Sequence, residues 1–500
     1  MIIGVPKEIK NNEYRVGLLP VGVEMLKLSG HKIYIEGGAG LGSGIEDQDY
    51  INSGAILLNT AEEIYENAEM VIKIKEPQPQ EYDYLKKGQV LFTFFHFAAS
   101  LELTEAMLEK ETIAFAYETL QLENGELPCL TPMSEVAGRM SIHEGAKYLE
   151  EPMKGRGILL GGVPGVSPAE VVILGAGVVG SNACKMAAGL GAHVTILDIN
   201  LNRLRYLDEI MPPNAHTLMS NLYMVREAVL KADLVISCVL IRGAKPPCLI
   251  DRRMVSQMKT GSVIIDVAID QGGSVETSKP TTHDDPTFVV DGIVHYCVTN
   301  MPSAVARTST YALTNATLPY ILLLANHGYE QAIKRFYPLK RALNMMKGDV
   351  VLKEVADTFH LSYKKISFQR KNMVHEIIKE RRSSLRTKRV LSIEHRCVSS
   401  QRKNLEKSWY LSTTEDISFG GLTFYTDYEY RPGDVLELRV VMSGLLDIFK
   451  GLAKVVRIEK KEMASYFLVA VNFQEKKTRS KNIKTDEFRR KMKVKSKQRL

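Results

Sequence analysis

The segment Val171-Val-Ile-Leu-Gly175-Ala-Gly177-Val-Val-Gly180-Ser-Asn-Ala limits the folds open to this chain more than any other. Four apolar residues read as a buried strand, and three glycines spaced GxGxxG turn that strand into a helix. Gly175 permits a tight turn, Gly177 lets backbone approach a pyrophosphate, and Gly180 lets the helix pack close to the strand. The helix N-terminus adds unpaired N–H groups and partial positive charge for phosphates. A lone GxGxxG is a weak signal, and a Gly-rich turn beside a helix-capping Asp is the plain alternative. Here the next strand ends on Asp198, near the offset of about 20 residues at which a carboxylate accepts hydrogen bonds from ribose hydroxyls. The same carboxylate repels a 2′-phosphate, so the segment favours NAD over NADP.

Strands flank this motif: Val171–Leu174, His193–Leu197, Leu234–Cys238 and Val263–Val267 alternate with helical stretches, the pattern of a doubly wound parallel sheet. Residues 1–130 repeat it, with β-rich runs at Lys32–Glu36, Met70–Lys75, Val90–Phe95 and Ile113–Tyr117 and helical runs at Val21–Leu28 and Leu101–Leu108. The helical pattern returns at Thr314–Asn326 and continues towards Leu361. We expect two Rossmann-like α/β domains: one discontinuous, formed by 1–133 and 304–363, the other formed by 134–303. Residues 364–380 then read as a charged linker. Beyond them, Gly421–Tyr425, Val435–Met442, Ala453–Ile458 and Tyr466–Phe473 are short β-branched and aromatic strands, with a turn at Arg431-Pro-Gly-Asp434. They predict a small all-β barrel over 381–475.

Charge and composition narrow the partners. The formal net charge is +7, but residues 476–500 hold twelve Lys/Arg against Asp486 and Glu487, leaving the rest slightly acidic. The basicity belongs to a solvated tail and does not favour nucleic acid as a partner. No apolar run is long enough to span a membrane and no secretion leader is visible, so a cytoplasmic protein is expected. The six scattered cysteines form neither a CxxC pair nor a zinc-spaced cluster.

Three segments combine charged side chains with strand ends: Lys73-Ile-Lys75-Glu-Pro, Phe92-Thr-Phe-Phe-His96 and Asp266-Val-Ala-Ile-Asp270. In open α/β sheets ligands lie outside the C-terminal strand ends, so all three point to one cleft. A carboxylate substrate needs a cationic partner, and an imidazole with a pKa of about 6.5 exchanges protons near neutrality. Residue by residue the plain alternatives are a surface Arg15, a snorkelling Lys75, a core His96 and a helix-capping Asp270.

Together with Asn11-Asn-Glu-Tyr-Arg15-Val, Met133-Ser-Glu-Val-Ala-Gly-Arg139, Asp270-Gln-Gly-Gly, Pro280-Thr-Thr-His-Asp-Asp-Pro286 and Asn300-Met-Pro302, these segments resemble the alanine dehydrogenase family from Met1 to about Leu361. The resemblance implies reversible, NAD-dependent oxidative deamination of L-alanine to pyruvate and ammonium, in a hexamer. It implies that Arg15 and Lys75 hold the substrate, that His96 is the acid/base and that Asp270 completes the active site. On the cofactor side it implies Ser134, Gly175, Gly177, Val178, Val179, Gly180, Asp198, Arg203, Ser220, Val239, Asn300 and Met301. Some members bind a divalent ion through an acidic residue where this chain has Leu323, so no metal is expected. The family often has Cys at Ser274 and Arg at Lys279, and neither difference removes a catalytic group. A catalytically idle scaffold and a related dehydrogenase or transhydrogenase subunit are the alternatives.

A second motif pair lies behind the linker: Arg382-Ser-Ser-Leu-Arg386 and Asp416-Ile-Ser418-Phe-Gly-Gly421. RxxxR followed by DxSxxG resembles the PilZ domain, which implies binding of cyclic di-GMP. Arg382 and Arg386 suit guanine edges and phosphates, Asp416 can accept from guanine N–H groups, Ser418 can donate to a polar ligand atom, and Gly421 would leave room for a base. A non-binding barrel behind an arginine-rich linker is the plain alternative. Both motif sets on one chain suggest that cyclic di-GMP regulates the enzyme.

Overall fold

The computed structural model describes residues 1–239, 246–366, 387–388, 392–400, 408–418, 421–442, 446–460 and 467–474. They fall into two compact units, before and after the segment 367–386.

The first unit holds two sheets. Strands β1 (Ile2–Val5), β2 (Lys32–Glu36), β3 (Ile56–Leu58), β4 (Met70–Ile72), β5 (Val90–Thr93) and β6 (Ile113–Ala116) build the first. Strands β7 (Glu170–Leu174), β8 (His193–Asp198), β9 (Ala215–Met219), β10 (Leu234–Ser237), β11 (Val263–Asp266), β12 (Thr287–Val290) and β13 (Ile293–Tyr296) build the second, in the order β12-β13-β11-β10-β7-β8-β9. All its pairings are parallel except β12–β13. Strands β7, β10 and β11 are apolar almost throughout and buried, as a sheet covered on both faces requires. After the long helix Ala306–Arg335, β14 (Leu343–Met346) and β15 (Asp349–Val350) extend the first sheet, giving β15-β14-β6-β5-β4-β1-β2-β3.

Two expectations shift in detail. The helical pattern expected to run towards Leu361 is broken by the β14–β15 hairpin. Lys347 (φ 54°) and Gly348 (φ 84°) make its turn, and β14 docks antiparallel on β6. The free edge of β6 and burial of Met345 and Val350 outweigh local helical pattern. Strands β4 and β5 also end earlier than their apolar runs. The N–H groups of Ile74 and Lys75 bond Glu8, and those of Phe95 and His96 bond Glu118, so side-chain carboxylates replace the ladder at the strand ends.

In the second unit, β16 is Thr387–Lys388, β17 Ser392–Ser399, β18 Tyr410–Ser418, β19 Gly421–Thr426, β20 Val435–Met442, β21 Leu446–Lys460 and β22 Phe467–Phe473. The order β18-β17-β20-β21-β22-β19 closes through β18–β19 into a six-stranded antiparallel barrel, with β16 added outside β18. Its core is Ile393, Cys397, Leu422, Phe424, Tyr430, Leu436, Leu438, Val455 and Val469.

His395 lies fully buried in that barrel, its Nδ1 2.7 Å from the Tyr430 hydroxyl and its Nε2 without a hydrogen-bond partner among the described residues. Burial pushes its pKa down to about 4, so the folded barrel prefers neutral imidazole. That preference contributes fully above about pH 6.5 and is lost as pH falls towards 4, a swing of about 3 kcal/mol. The lone tryptophan, Trp409, sits between the Arg396 and Arg439 guanidiniums on this unit, so its fluorescence reports the barrel's unfolding. We expect the tryptophan-detected Tm to fall between pH 6.5 and 4 and His395→Phe to flatten that dependence. An unchanged slope in the variant contradicts the assignment.

Candidate functional site

The glycine turn is built as its spacing demands. Gly175 takes φ 102°, open to glycine and strained for other residues, and its N–H bonds the Leu197 carbonyl at 2.8 Å. A Cβ on Gly180 would lie 1.8 Å from the Gly175 carbonyl oxygen, whereas one on Gly177 would meet nothing within 4 Å. Gly180 therefore serves helix-to-strand packing and Gly177 leaves open space over the turn. The helix Val178–Gly189 starts at Gly177 with no side-chain cap, so its first N–H groups remain available for an anion. Val178 is exposed, Val179 and Val239 are half-buried, and Val239 lies against the turn beside Gly175.

Asp198 closes β8. One carboxylate oxygen accepts from the Ala176 N–H at 2.6 Å and the other from the Asn200 N–H at 2.7 Å, while its carbonyl receives the Ser220 N–H at 2.9 Å. Arg203 leaves the surface and folds back, Nε on the Ala176 carbonyl at 2.8 Å and Nη2 on Ser181 Oγ at 2.6 Å. Asp198, Ser220 and Arg203 thus ring the same turn. These features fit a dinucleotide: open backbone at Gly177, a free helix N-terminus for pyrophosphate, and a carboxylate at the next strand end for a ribose.

The substrate-side residues converge from the first sheet. Arg15, in the loop after β1, is buried and forks onto Glu13 through Nε (2.6 Å) and Nη2 (2.5 Å). Nη2 also reaches Asn300 Oδ1 at 3.0 Å, and Nη1 meets Met133 Sδ at 3.0 Å. Lys75 follows β4, half-buried, and forms no ion pair among the described residues. Burial, reinforced by the positive charge of Arg15, lowers its pKa from the usual lysine value. Beneath it, buried Lys73 pairs with Glu81 at 2.9 Å and Glu8 at 3.3 Å. Burial pushes the Glu8 carboxyl up to about 7 against the pull of Lys73.

His96 follows β5 in the left-handed region (φ 50°, ψ 42°) and is exposed, its ring parallel to Phe94 at 5.7 Å. Glu118 takes its N–H at 2.6 Å and so fixes the turn that presents the imidazole. Asp270 is exposed in the 3-10 turn Val267–Gln271 after β11. Buried Asp266 ties that turn down by accepting the Ser274 N–H at 3.1 Å. The fold therefore joins Arg15 directly to Asn300 and couples it electrostatically to Lys75. His96 and Asp270 lie exposed after strands of the two sheets, and among the described residues no hydrogen bond or ion pair joins them to each other or to these cations. Ser134 is half-buried on the helix Thr131–Tyr148, next to Met133, and Met301 is buried after Asn300.

Glu13, Glu118, Glu8 and Met133 carried no role in the sequence reading. The Glu13-Tyr-Arg15 spacing could have suggested the first pair, whereas the others depend on strands meeting in space.

In the second unit, Arg382 and Arg386 lie outside the described residues. Thr387 and Lys388, directly after them, pair with Ile417 and Asp416, so the chain following RxxxR runs alongside DxSxxG. Asp416 and Ser418 close β18, and Ser418 pairs with Gly421. A Cβ on Gly421 would lie 2.0 Å from the Val471 carbonyl oxygen, so that glycine is required by the pairing of β19 with β22 and the space beside it is taken by protein.

Among the described residues no group of three or more His, Cys, Asp or Glu is placed to hold a metal, and no helix is long and apolar enough to cross a membrane.

Comparison with known proteins identifies the domains. Residues 4–137 match the family model "Alanine dehydrogenase/PNT, N-terminal domain", residues 141–353 its C-terminal counterpart, and residues 380–484 the PilZ domain. An alanine dehydrogenase of Methanococcus maripaludis is 57% identical over 364 residues, 73% of this chain and 98% of that protein. Alanine dehydrogenase 2 of Staphylococcus aureus is 54% identical over 367 residues, with the same coverage. A solved L-alanine dehydrogenase superposes with a TM-score of 0.70 at 51% identity, covering 72% of this chain and 99% of that one. A transhydrogenase from Sinorhizobium meliloti superposes at 0.60 with 25% identity, covering 70% and 99%.

Proposed function

The chain belongs to the alanine dehydrogenase family and carries a PilZ domain behind the enzyme, and from that premise we propose that it oxidatively deaminates L-alanine to pyruvate and ammonium with NAD, under the influence of cyclic di-GMP. The observation that carries the enzymatic part is buried Arg15 joined to Asn300 and electrostatically coupled to Lys75, which forms no ion pair among the described residues. In this reading residues 1–133 and 304–363 form the substrate domain and residues 134–303 the NAD domain.

NAD bound at the Gly175–Gly180 turn supplies the acceptor for the hydride leaving the alanine Cα. The first N–H groups of the helix Val178–Gly189 would hold its pyrophosphate, and Asp198 would take the ribose hydroxyls while disfavouring a 2′-phosphate. Val178, Val179, Arg203, Ser220, Val239, Ser134, Asn300 and Met301 would complete the cofactor site.

Lys75 and Arg15 hold the substrate carboxylate. Lys75 brings the unpaired charge, and Arg15, whose charge Glu13 already offsets, brings a directed N–H. The lowered pKa of Lys75 reflects a cation that gains most from a carboxylate. His96 takes a proton from the attacking water as the imine becomes a carbinolamine and returns it as ammonia departs. Asp270 stabilises the cationic imine and orients that water. The family's hexamer and a cytoplasmic setting accompany this reading.

The PilZ module adds the second messenger: Arg382 and Arg386 contact guanine and phosphate, and Asp416 and Ser418 complete the polar contacts. The register of Lys388 with Asp416 supports this, because it sets the residues that directly follow RxxxR alongside DxSxxG. Regulation requires that cyclic di-GMP bind one enzyme state better than another. Steady-state alanine oxidation with and without saturating cyclic di-GMP tests it. A change in kcat, KM or oligomer size that disappears in Arg382→Ala/Arg386→Ala is expected. Saturable binding with all three unchanged contradicts regulation.

A further inference from the structure

Glu13, Arg15 and Asn300 form a closed ring of hydrogen bonds. Glu13 accepts both arms of the Arg15 fork, Arg15 Nη2 donates to Asn300 Oδ1 at 3.0 Å, and Asn300 Nδ2 donates back to Glu13 Oε2 at 3.1 Å. The ring spans the two α/β domains, since Glu13 and Arg15 follow β1 of the first sheet and Asn300 follows β13 of the second. Glu13 and Arg15 are almost wholly buried, so the guanidinium and carboxylate satisfy each other away from water.

Two further observations give the ring a direction. Asn300 holds φ 60° and ψ 42°, a conformation that costs a non-glycine residue energy and persists where the surroundings over-determine it. Both polar atoms of its side chain are committed to the ring. Meanwhile the partner of Arg15 Nη1 among the described residues is the Met133 sulfur, a weak acceptor that a carboxylate oxygen readily displaces. The ring thus fixes the cofactor-side turn and leaves one N–H of Arg15 for the substrate.

We propose that Glu13 is a positioning residue that couples the two ligand sites, setting the Arg15 fork and the Asn300 turn with a single carboxylate. The inference rests on the reading of Arg15 and Asn300 as substrate and cofactor residues. Cofactor seated against the Asn300-Met301 turn orders the ring that the substrate carboxylate meets, and by linkage the effect is reciprocal. A role in stability alone does not predict such coupling.

The test uses the full chain, NADH and pyruvate in buffer without ammonium, where reductive amination cannot proceed. NADH is titrated by its fluorescence with and without saturating pyruvate. In the unaltered protein pyruvate tightens NADH binding by about fivefold or more. In Glu13→Gln that factor collapses towards one, while NADH affinity without pyruvate changes less than the coupling does, and Glu13→Asp recovers part of it. If Glu13→Gln does not fold, Glu13→Asp, which keeps the charge on Arg15 but shortens the reach to Asn300, is read instead, and its coupling factor falls below that of the unaltered protein. Unaltered coupling in the variant, or no coupling in the unaltered protein, overturns the proposal. Alanine turnover by the unaltered protein, measured in parallel, is a separate readout: its absence refutes the enzymatic reading, whereas turnover without coupling refutes only the role of Glu13.

Discussion

Replacing His96 with glutamine is expected to lower kcat for alanine oxidation by about 10²–10⁴-fold, the usual worth of a positioned proton-transfer group. NADH affinity and Tm should be nearly unchanged. The imidazole is exposed and its ring rests on Phe94, so the fold depends little on it. What the structure spends on His96 is backbone: a left-handed conformation held by Glu118 through a 2.6 Å bond to its N–H. Glutamine preserves polarity and approximate size but cannot exchange a proton near neutrality. Steady-state kinetics and an NADH titration on the same preparation check this. Retention of kcat within a few-fold would remove His96 from the acid/base role.

A second large effect is expected at the dinucleotide turn, where two glycines in one motif should fail differently. Gly180→Ala places a methyl 1.8 Å from the Gly175 carbonyl and 3.1 Å from Cys238 Sγ, and backbone cannot yield as a flexible side chain does. The helix Val178–Gly189 must move off the strand, which costs about 1–3 kcal/mol in stability and abolishes measurable NADH binding. Gly177→Ala meets nothing within 4 Å, so its Tm should match that of the unaltered protein. NADH binding should still weaken, because the methyl enters the space through which the pyrophosphate approaches. Thermal melts and NADH titrations of both variants check the contrast. Equal loss of stability in the two would contradict the division of labour between packing and access.

Much of this was legible in the sequence because the signals were local. The glycine spacing, the apolar runs of β7, β10 and β11 and the position of Asp198 each follow from a few neighbouring residues, and the strands form almost where the runs lie. The barrel was legible from its β-branched and aromatic segments, although β17 and β18 were not anticipated, since β17 alternates apolar residues with Glu394 and Arg396 and β18 is mostly hydroxyl and acidic residues. Less legible were features made by distant segments. Strand β14 reads as helix until the free edge of β6 is available to it. The ends of β4 and β5 depend on Glu8 and Glu118, which lie 66 and 22 residues from the N–H groups they receive. Arg203 was reached only through the family resemblance, and its closure on Ala176 depends on the glycine turn leaving that carbonyl facing it. Glu13 shows the same limit. Its sequence distance to Arg15 is short, but its significance comes from Asn300, 287 residues away.

The PilZ motifs divide in the same way. Gly421 lies where DxSxxG places it, but the atom it makes room for is the Val471 carbonyl on the neighbouring strand. That requirement was invisible without the pairing of β19 and β22.

The central claim, that the N-terminal unit is a working alanine dehydrogenase, is tested most directly by incubating the purified full-length chain with L-alanine and NAD while recording NADH, pyruvate and ammonium together. One NADH, one pyruvate and one ammonium per alanine consumed, with D-alanine and bulky amino acids poor substrates and NADP a poor acceptor, is the predicted result. No NADH from L-alanine by a folded preparation that still binds NADH would contradict it and leave the unit an idle scaffold in front of its PilZ domain.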